Sequence, residues 1–155
     1  MTRYSYRQLA QSNSGSSLSE VAPALFLLVF CAVLPVINFI GMGLTYCSCT
    51  LLNNLELREA ARTPNSQLAP ILASLQQNWQ SSIVGQFAGL TIAPETDVSY
   101  SHNNGSDTYV TVSTDFTAKS FLTIPFFKNV PGLGAPWTYT IAGTRVLEDP
   151  SYASF

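Results

Sequence analysis

The chain has 155 residues, of which only 10% are charged, and seven basic against nine acidic side chains give a formal net charge of −2. This length allows one compact domain with an appendage. The few basic residues are scattered and form no stripe that could follow a phosphate backbone, so nucleic acid is excluded as a partner. A single His and three Cys leave little material for a catalytic or metal site. We therefore expect no enzymatic activity, no metal and no cofactor.

The first long feature is a charge-free stretch over residues 21–55. As a helix it would measure about 52 Å, against about 30 Å for the hydrocarbon core of a bilayer. We therefore predict a membrane span from about residue 21 to residue 41 or a few residues beyond, and a stalk that continues to residue 62. The apolar region of a cleaved secretory signal covers only about 7 to 15 residues, which argues against that interpretation.

The flanks of this stretch indicate its orientation. Arg3 and Arg7 lie in the first fifteen residues, which contain no acidic side chain, whereas both signs of charge follow the stretch. Basic residues favour the cytoplasmic side, so we predict a single-pass protein of the inner (cytoplasmic) membrane with a cytoplasmic N-terminus. The predicted organisation is a leader at 1–15, a transmembrane helix and stalk at 16–62, and an exported α+β domain at 63–155.

A short polar segment, Gly15-Ser16-Ser17-Leu18-Ser19-Glu20, stands immediately before the apolar stretch. One interpretation is a helix capping box formed by Ser17 and Glu20. The other is a processing site, in which cleavage after Gly15 makes Ser16 the first residue and Glu20 the fifth. The new amine and the carboxylate would then lie on one helix face, where they could pair within or between subunits and set the axial register.

Four residues inside the predicted span are candidates for helix packing. Pro35 should kink the helix, and Asn38 is a strongly polar side chain in mid-span. Gly41 and Gly43 are small enough for a neighbouring helix to approach closely. A generic anchor would also contain such residues, so both interpretations stay open.

Taken together, these motifs resemble the TadE-like proteins, which are minor pilins or pseudopilins of tight-adherence (Tad) pili. The family pattern places a Gly before a short segment of small residues, Glu at mature position five, a Leu-Pro pair in the apolar helix and a later Ala-Ala-Arg phrase. This chain has them in that order: Gly15, Glu20, Leu34-Pro35 and Ala60-Ala61-Arg62. The distal part is similar too, with a final strand that closes at Glu148. The resemblance covers most of residues 15–150.

The resemblance implies a structural role in pilus assembly, connected with adhesion or secretion. The implied partners are other pilin subunits, the assembly platform and a prepilin peptidase. Two positions depart from the pattern: Ser14 replaces the usual basic residue before the Gly, and Val21 replaces an aromatic residue after the Glu. An unprocessed, bitopic envelope protein with an extracytoplasmic binding domain is the alternative.

The distal part is predicted to combine one helix with a sheet. Apolar residues from Leu68 to Phe87 recur at intervals of three and four, which predicts an amphipathic helix that begins after a Thr63-Pro64 cap, buries Trp79 and stops at Gly89. Strands are predicted at 91–100, 108–116 and 137–147, and we expect residues 63–155 to fold alone. The fold class is therefore α+β: a long transmembrane and stalk helix, then a small domain with one amphipathic helix packed on an antiparallel sheet.

The remaining candidates are weaker. The loop at 121–136 is rich in apolar residues, and it either folds over the sheet edge or forms a docking patch, depending on the exposure of Phe126 and Phe127. Cys47 and Cys49 point to opposite sides of a helix and cannot pair with each other, although an intermolecular disulfide is possible. His102 is expected to be a solvated residue beside a turn. Asn104-Gly105-Ser106 matches a glycosylation acceptor, which would matter only in a glycosylating host.

Overall fold

The computed structural model describes residues 16–102 and 107–153. The chain divides into two compact units, the first ending at Val36 and the second comprising Ile37–Phe155. The helices are α1 (Ser16–Leu28), α2 (Leu34–Ala60), α3 (Asn65–Ser81) and α4 (Ile83–Ala88), and a π-helical turn at Val29–Val33 joins the first two. The strands are β1 (Glu95–His102), β2 (Thr108–Ala118) and β3 (Trp137–Val146), with short 3₁₀ turns at Pro125–Phe127 and Pro150–Tyr152. The predicted α+β class, with a long apolar N-terminal helix and an antiparallel sheet, is confirmed.

One helical stretch in the described residues, Ser19–Ala60, is long and apolar enough to cross a membrane. Its large apolar side chains between Val21 and Val36 are mostly exposed. The π-helical turn lies directly before Pro35, and the N–H of Leu34 donates to the carbonyl of Val29. Because Pro35 lacks an N–H and its ring crowds the carbonyl four residues earlier, a wider turn at this point relieves the helix. The helix is therefore compatible with a single membrane span.

The sheet has three antiparallel strands in the order β1-β2-β3. Thr96 of β1 pairs with Thr114 of the central strand β2, and Thr114 pairs with Ile141 of β3. Along β2, buried residues alternate with half-exposed ones. One face of the sheet is therefore covered by protein, as expected for an antiparallel sheet next to helices.

The C-terminal half of α2 supplies much of that cover. Leu57 and Ala60 of α2 belong to one buried cluster with Val110 and Val112 of β2. Cys49 and Leu52 belong to a second cluster, which also contains Phe116, Ile141 and Trp79. Gly143 of β3 lies so close to α2 that an added Cβ would stand 2.9 Å from Cδ2 of Leu57. The predicted boundary between the stalk and the exported domain after residue 62 stays a prediction, although the compact unit begins at Ile37.

The predicted amphipathic helix is divided into two. It begins at Asn65 with Pro64 itself as the N-cap and without a side-chain cap bond, so Thr63 does not cap it. Ser82 then adopts an extended conformation, and its hydroxyl accepts a hydrogen bond from the N–H of Gly85 at 3.2 Å, which starts α4. Serine competes for backbone groups in this way, so it breaks helices at positions that apolar periodicity does not reveal. Gly89, with φ of 61°, ends α4 in the left-handed region, as predicted.

The strands begin and end close to their predicted positions, with one difference. The first strand starts at Glu95 instead of residue 91, directly after Pro94. Proline cannot donate to a strand ladder, which explains the late start. Leu90 forms only an isolated bridge with Ala118.

Candidate functional site

The predicted processing site lies at the edge of the described residues. Gly15 is outside them, and Ser16 is the first residue of α1. Ser17 is also within α1, whereas an N-cap residue stands outside the helix that it caps. Both interpretations of this segment, the processing site and the capping box formed by Ser17 and Glu20, stay predictions. Glu20 is exposed, and no ion pair to it occurs within residues 16–102 and 107–153.

Asn38 lies at the base of the compact unit and is completely buried. Its Nδ2 donates to the carbonyl of Leu122 at 2.8 Å, and its Oδ1 accepts from the N–H of Leu122 at 2.6 Å. The side-chain amide of Asn38 therefore pairs with the backbone N–H and carbonyl of Leu122, as the backbone of a neighbouring strand would. Both ends of the amide are used within the chain.

The other predicted packing residues have different surroundings. A Cβ added to Gly41 would stand 2.8 Å from Cβ of Phe121, so this glycine allows the loop to approach the helix. A Cβ added to Gly43 would meet nothing within 4 Å. Pro35 is half-buried. The predicted packing of this helix against sister helices stays a prediction, and Gly43 offers the open surface for it.

A buried polar cluster joins α2, α3 and the sheet, and the sequence analysis did not anticipate it. Glu56 of α2 is 0% exposed. Its Oε2 accepts from Oγ1 of Thr114 at 2.6 Å, and its Oε1 accepts from Nε2 of Gln76 at 2.7 Å and from Oγ1 of Thr96 at 3.1 Å. Buried polar groups are costly unless they are hydrogen-bonded, and here the carboxyl group has three donors.

Asn53 extends this polar cluster by one turn of α2. Its Nδ2 donates to Oγ1 of Thr114 and to the carbonyl of Ile141, each at 3.1 Å. The same helix face thus contacts the middle strand and one edge strand through a single amide. The cluster fixes the register of α2 against the sheet, because a shift by one residue would leave these buried groups without partners.

Residues that the sequence analysis assigned to a polar stalk are therefore core residues. Residues 49, 52, 53, 56, 57 and 60 recur at intervals of three and four, and all are buried. This helical spacing indicates a buried face, but two of its residues, Asn53 and Glu56, are polar and therefore interrupt the apolar pattern. Gln76 carries the same signal, since it follows the buried Leu72 by four positions in α3.

The motif residues near the end of α2 also find partners in the chain. The carbonyl of Ala61 accepts from the N–H of Glu148 at 3.0 Å. Nε of Arg62 donates to Oε1 of the same Glu148 at 2.7 Å, in an exposed ion pair. The Ala-Ala-Arg phrase and the terminal Glu, which the resemblance singled out separately, meet at the end of the sheet farthest from Asn38.

The pKa values of two tyrosines and one aspartate are shifted from their ordinary values. Burial raises the pKa of the Tyr139 phenol, and the neighbouring Cys49 thiol adds to that shift. Burial also raises the pKa of Tyr100. The N–H of Ser151 donates to Asp149 at 2.9 Å and lowers the pKa of its carboxyl. These shifts follow from packing and turn formation.

The remaining candidate side chains are dispersed. Cys49 is buried, whereas Cys31 and Cys47 are exposed, so an intermolecular disulfide in this region would involve Cys47. His102 lies exposed at the end of β1, with Nδ1 3.0 Å from Oγ1 of Thr108. No group of three or more metal-ligating side chains occurs among the residues that the structure describes. The predicted glycosylation acceptor at residues 104–106 lies outside them.

The β2–β3 loop divides its apolar side chains between core and surface. Ile124 is buried, whereas Phe126 is 75% exposed and Phe121 is 55% exposed. Phe127 is half-buried. The loop thus combines features of both alternatives: Ile124 packs into the domain, whereas Phe121 and Phe126 are exposed.

No protein-family model, no curated protein and no solved structure matches this chain.

Proposed function

We propose that this chain is a structural subunit of a Tad-type or type IV-like pilus, acting as a minor pilin or pseudopilin. The observation that carries the proposal is the division of one helix between two environments. Apolar side chains before Asn38 are mostly exposed, whereas from Asn38 to Ala60 one face of the helix is buried against the chain's own domain. The exposed part therefore needs a second cover, and lipid before assembly and sister helices after assembly would provide it.

In this proposal the N-terminus is cytoplasmic, and residues 63–155 lie outside the cytoplasm with α3 packed on the sheet. A prepilin peptidase removes residues 1–15 by cutting after Gly15. The new amine of Ser16 in one subunit then meets the carboxylate of Glu20 in the next. A carboxylate drawn into the membrane without such a partner would be costly, by about 2.5–3.5 kcal/mol at the bilayer centre and less near the interface. This pairing would set the axial register of the fibre.

The polar cluster around Glu56 supports the same role. A subunit that transmits axial force through one helix needs that helix fixed against its domain. Glu56 and Asn53 both form hydrogen bonds to Thr114, and these bonds hold α2 against the central strand. If α2 shifted by one residue, both side chains would lose this partner.

The deciding experiment measures the mature N-terminus. The full chain is expressed with a prepilin peptidase, extracted from the membrane and weighed intact by mass spectrometry. We expect a chain that begins at Ser16. In a Gly15→Leu variant processing should stop, because the peptidase must accept an extended residue without Cβ before the helix.

A matched control is Gly43→Leu, which makes the same substitution where an added Cβ meets no atom within 4 Å. Processing of this control should be unchanged. A wild-type chain that begins at Met1 or Thr2 would instead favour the alternative, a bitopic envelope protein with an extracytoplasmic binding domain. Equal processing of the Gly15→Leu variant would reject Gly15 as the cleavage determinant.

A further inference from the structure

The β2–β3 loop has an unusual charge distribution. Lys119 and Lys128, the two lysines of the chain, both lie in or beside it. Residues 116–147 contain no acidic side chain. The acidic residues Glu148 and Asp107 lie toward the opposite end of the sheet, where Leu147 bonds to Thr108. The loop itself is therefore apolar and basic, and the nearest acidic residues on the sheet are Asp115 and its partner Glu95.

The position of this loop along α2 is fixed by the double hydrogen bond between Asn38 and Leu122. Phe121 lies against Gly41, one turn further along the helix. Residues 19–37, which precede this contact, measure about 28 Å as a helix, which is close to the thickness of a hydrocarbon core. A span over these residues would therefore end one residue before Asn38, which binds the loop.

Exposed apolar side chains of α2 continue this surface. Phe39 and Ile40 are both more than half exposed, immediately beside the buried Asn38. Lys119, Phe121 and Gly41 line one cavity at this end of the domain. We call the exposed residues Phe39, Lys119, Phe121, Phe126 and Lys128 the foot. Aromatic rings with lysines around them suit the boundary between acyl chains and headgroups, since the lysine stems can lie on apolar material while the ammonium groups reach phosphate.

We infer that the foot rests in the interface of the bilayer and binds anionic phospholipid headgroups while the chain is membrane-anchored. The inference requires the membrane span of the proposed function but not its processing or its assembly into a pilus. Lipid is favoured over a second copy of this chain because Phe39 directly follows the predicted span in the chain. The two lysines, in a stretch of residues 116–147 without acidic side chains, also match an anionic surface.

The test uses the full chain, reconstituted in vesicles of phosphatidylcholine and phosphatidylglycerol. An environment-sensitive fluorophore is attached to a cysteine at exposed Thr123, with the three native cysteines replaced by serine. Asn129 is a second labelling position in the same loop, and exposed Ser101 at the far end of the sheet is the control. Lipids that carry a spin label below the headgroup quench fluorophores at the interface.

We expect blue-shifted emission and strong quenching for labels at 123 and 129, and neither effect at 101. The Phe126→Ser variant should lose most of the quenching at 123, whereas Val146→Ser, an exposed apolar residue near the far end, should lose none.

Equal water exposure of the labels at 123, 129 and 101 would overturn the inference. So would quenching that requires many chains per vesicle and vanishes at one chain per vesicle, since a second copy would then cover the foot. Neither result alters the mass of the processed chain, so the two proposals fail independently.

Discussion

Oε2 of Glu56 and Oγ1 of Thr114 lie 2.6 Å apart, although the two residues are 58 positions apart in the sequence. This hydrogen bond is at the centre of the domain and ties the end of the long helix to the middle strand. The C-terminal half of the helix is therefore part of the domain core.

Glu56→Ala should therefore destabilise the domain by about 1–3 kcal/mol, because the buried hydroxyl of Thr114 would lose its carboxylate acceptor and Gln76 would keep only Thr96. Chemical denaturation of the detergent-solubilised protein measures the free energy of unfolding. The control Glu59→Ala, a half-exposed position on the same helix, should change it by less than about 0.5 kcal/mol. Equal effects of the two substitutions would contradict the role assigned to the cluster.

The sequence predicted the apolar helix, the fold class and the approximate strands because each depends on local periodicity or local composition. The break at Ser82 and the late start of β1 at Glu95 depend on single residues that override that periodicity. The burial of Asn53 and Glu56 was not predicted. It depends on partners in distant strands, and polar residues without such partners are mostly exposed.

The candidate site shows the same limit. The resemblance named Gly15, Glu20 and the Ala60-Ala61-Arg62 phrase from the sequence, but it could not show that Arg62 meets Glu148. Asn38 was chosen for its polarity in an apolar span, and the structure gives it a partner in its own chain at Leu122. A long-range contact of this kind has no local sequence signal.

Asn38→Leu should free the β2–β3 loop while leaving membrane insertion intact. The substitution makes the span more apolar, but it removes both hydrogen bonds to the backbone of Leu122. We expect faster amide exchange at residues 120–124 and a loss of about 1–3 kcal/mol of stability. Hydrogen exchange measured by mass spectrometry resolves the loop. Asn54→Leu, an exposed asparagine of the same helix, is the control and should leave the exchange of the loop unchanged.

Two fragments distinguish the compact unit from the predicted exported domain. Residues 37–155 contain all the members of both buried clusters and should fold cooperatively in mild detergent. Residues 63–155 lack Cys49, Leu52, Leu57 and Ala60, so the sheet would expose its covered face and we expect no cooperative unfolding. This reverses the expectation drawn from the sequence alone. Cooperative thermal unfolding of the shorter fragment, followed by circular dichroism, would show that α2 is dispensable.

Trp79 offers a test of core packing. It is 6% exposed and lies in one cluster with Phe116 and Ile141. Trp79→Ala should cost about 3–5 kcal/mol, a large share of the 5–15 kcal/mol typical of a domain. The Nε1 group has no hydrogen-bond partner within the described residues. Trp79→Phe should therefore cost much less than the alanine variant, because the aromatic volume is largely kept and a buried unpaired donor is removed. Similar losses in both variants would indicate that the indole N–H has a partner.

Glu20 tests the assembly proposal without disturbing the domain. Glu20→Ala and Glu20→Gln remove the charge from an exposed position of α1, so membrane insertion and thermal stability should be unchanged. Contact with neighbouring pilins should fall, because the amine of the adjacent subunit loses its carboxylate partner.

A photo-reactive side chain in place of Gly43, where an added Cβ meets no atom within 4 Å, reports that contact as crosslinked product. The isosteric Gln variant should fail as the Ala variant does, since charge and not shape is the proposed determinant. Undiminished crosslinking and normal surface piliation in both variants would remove Glu20 from the assembly mechanism.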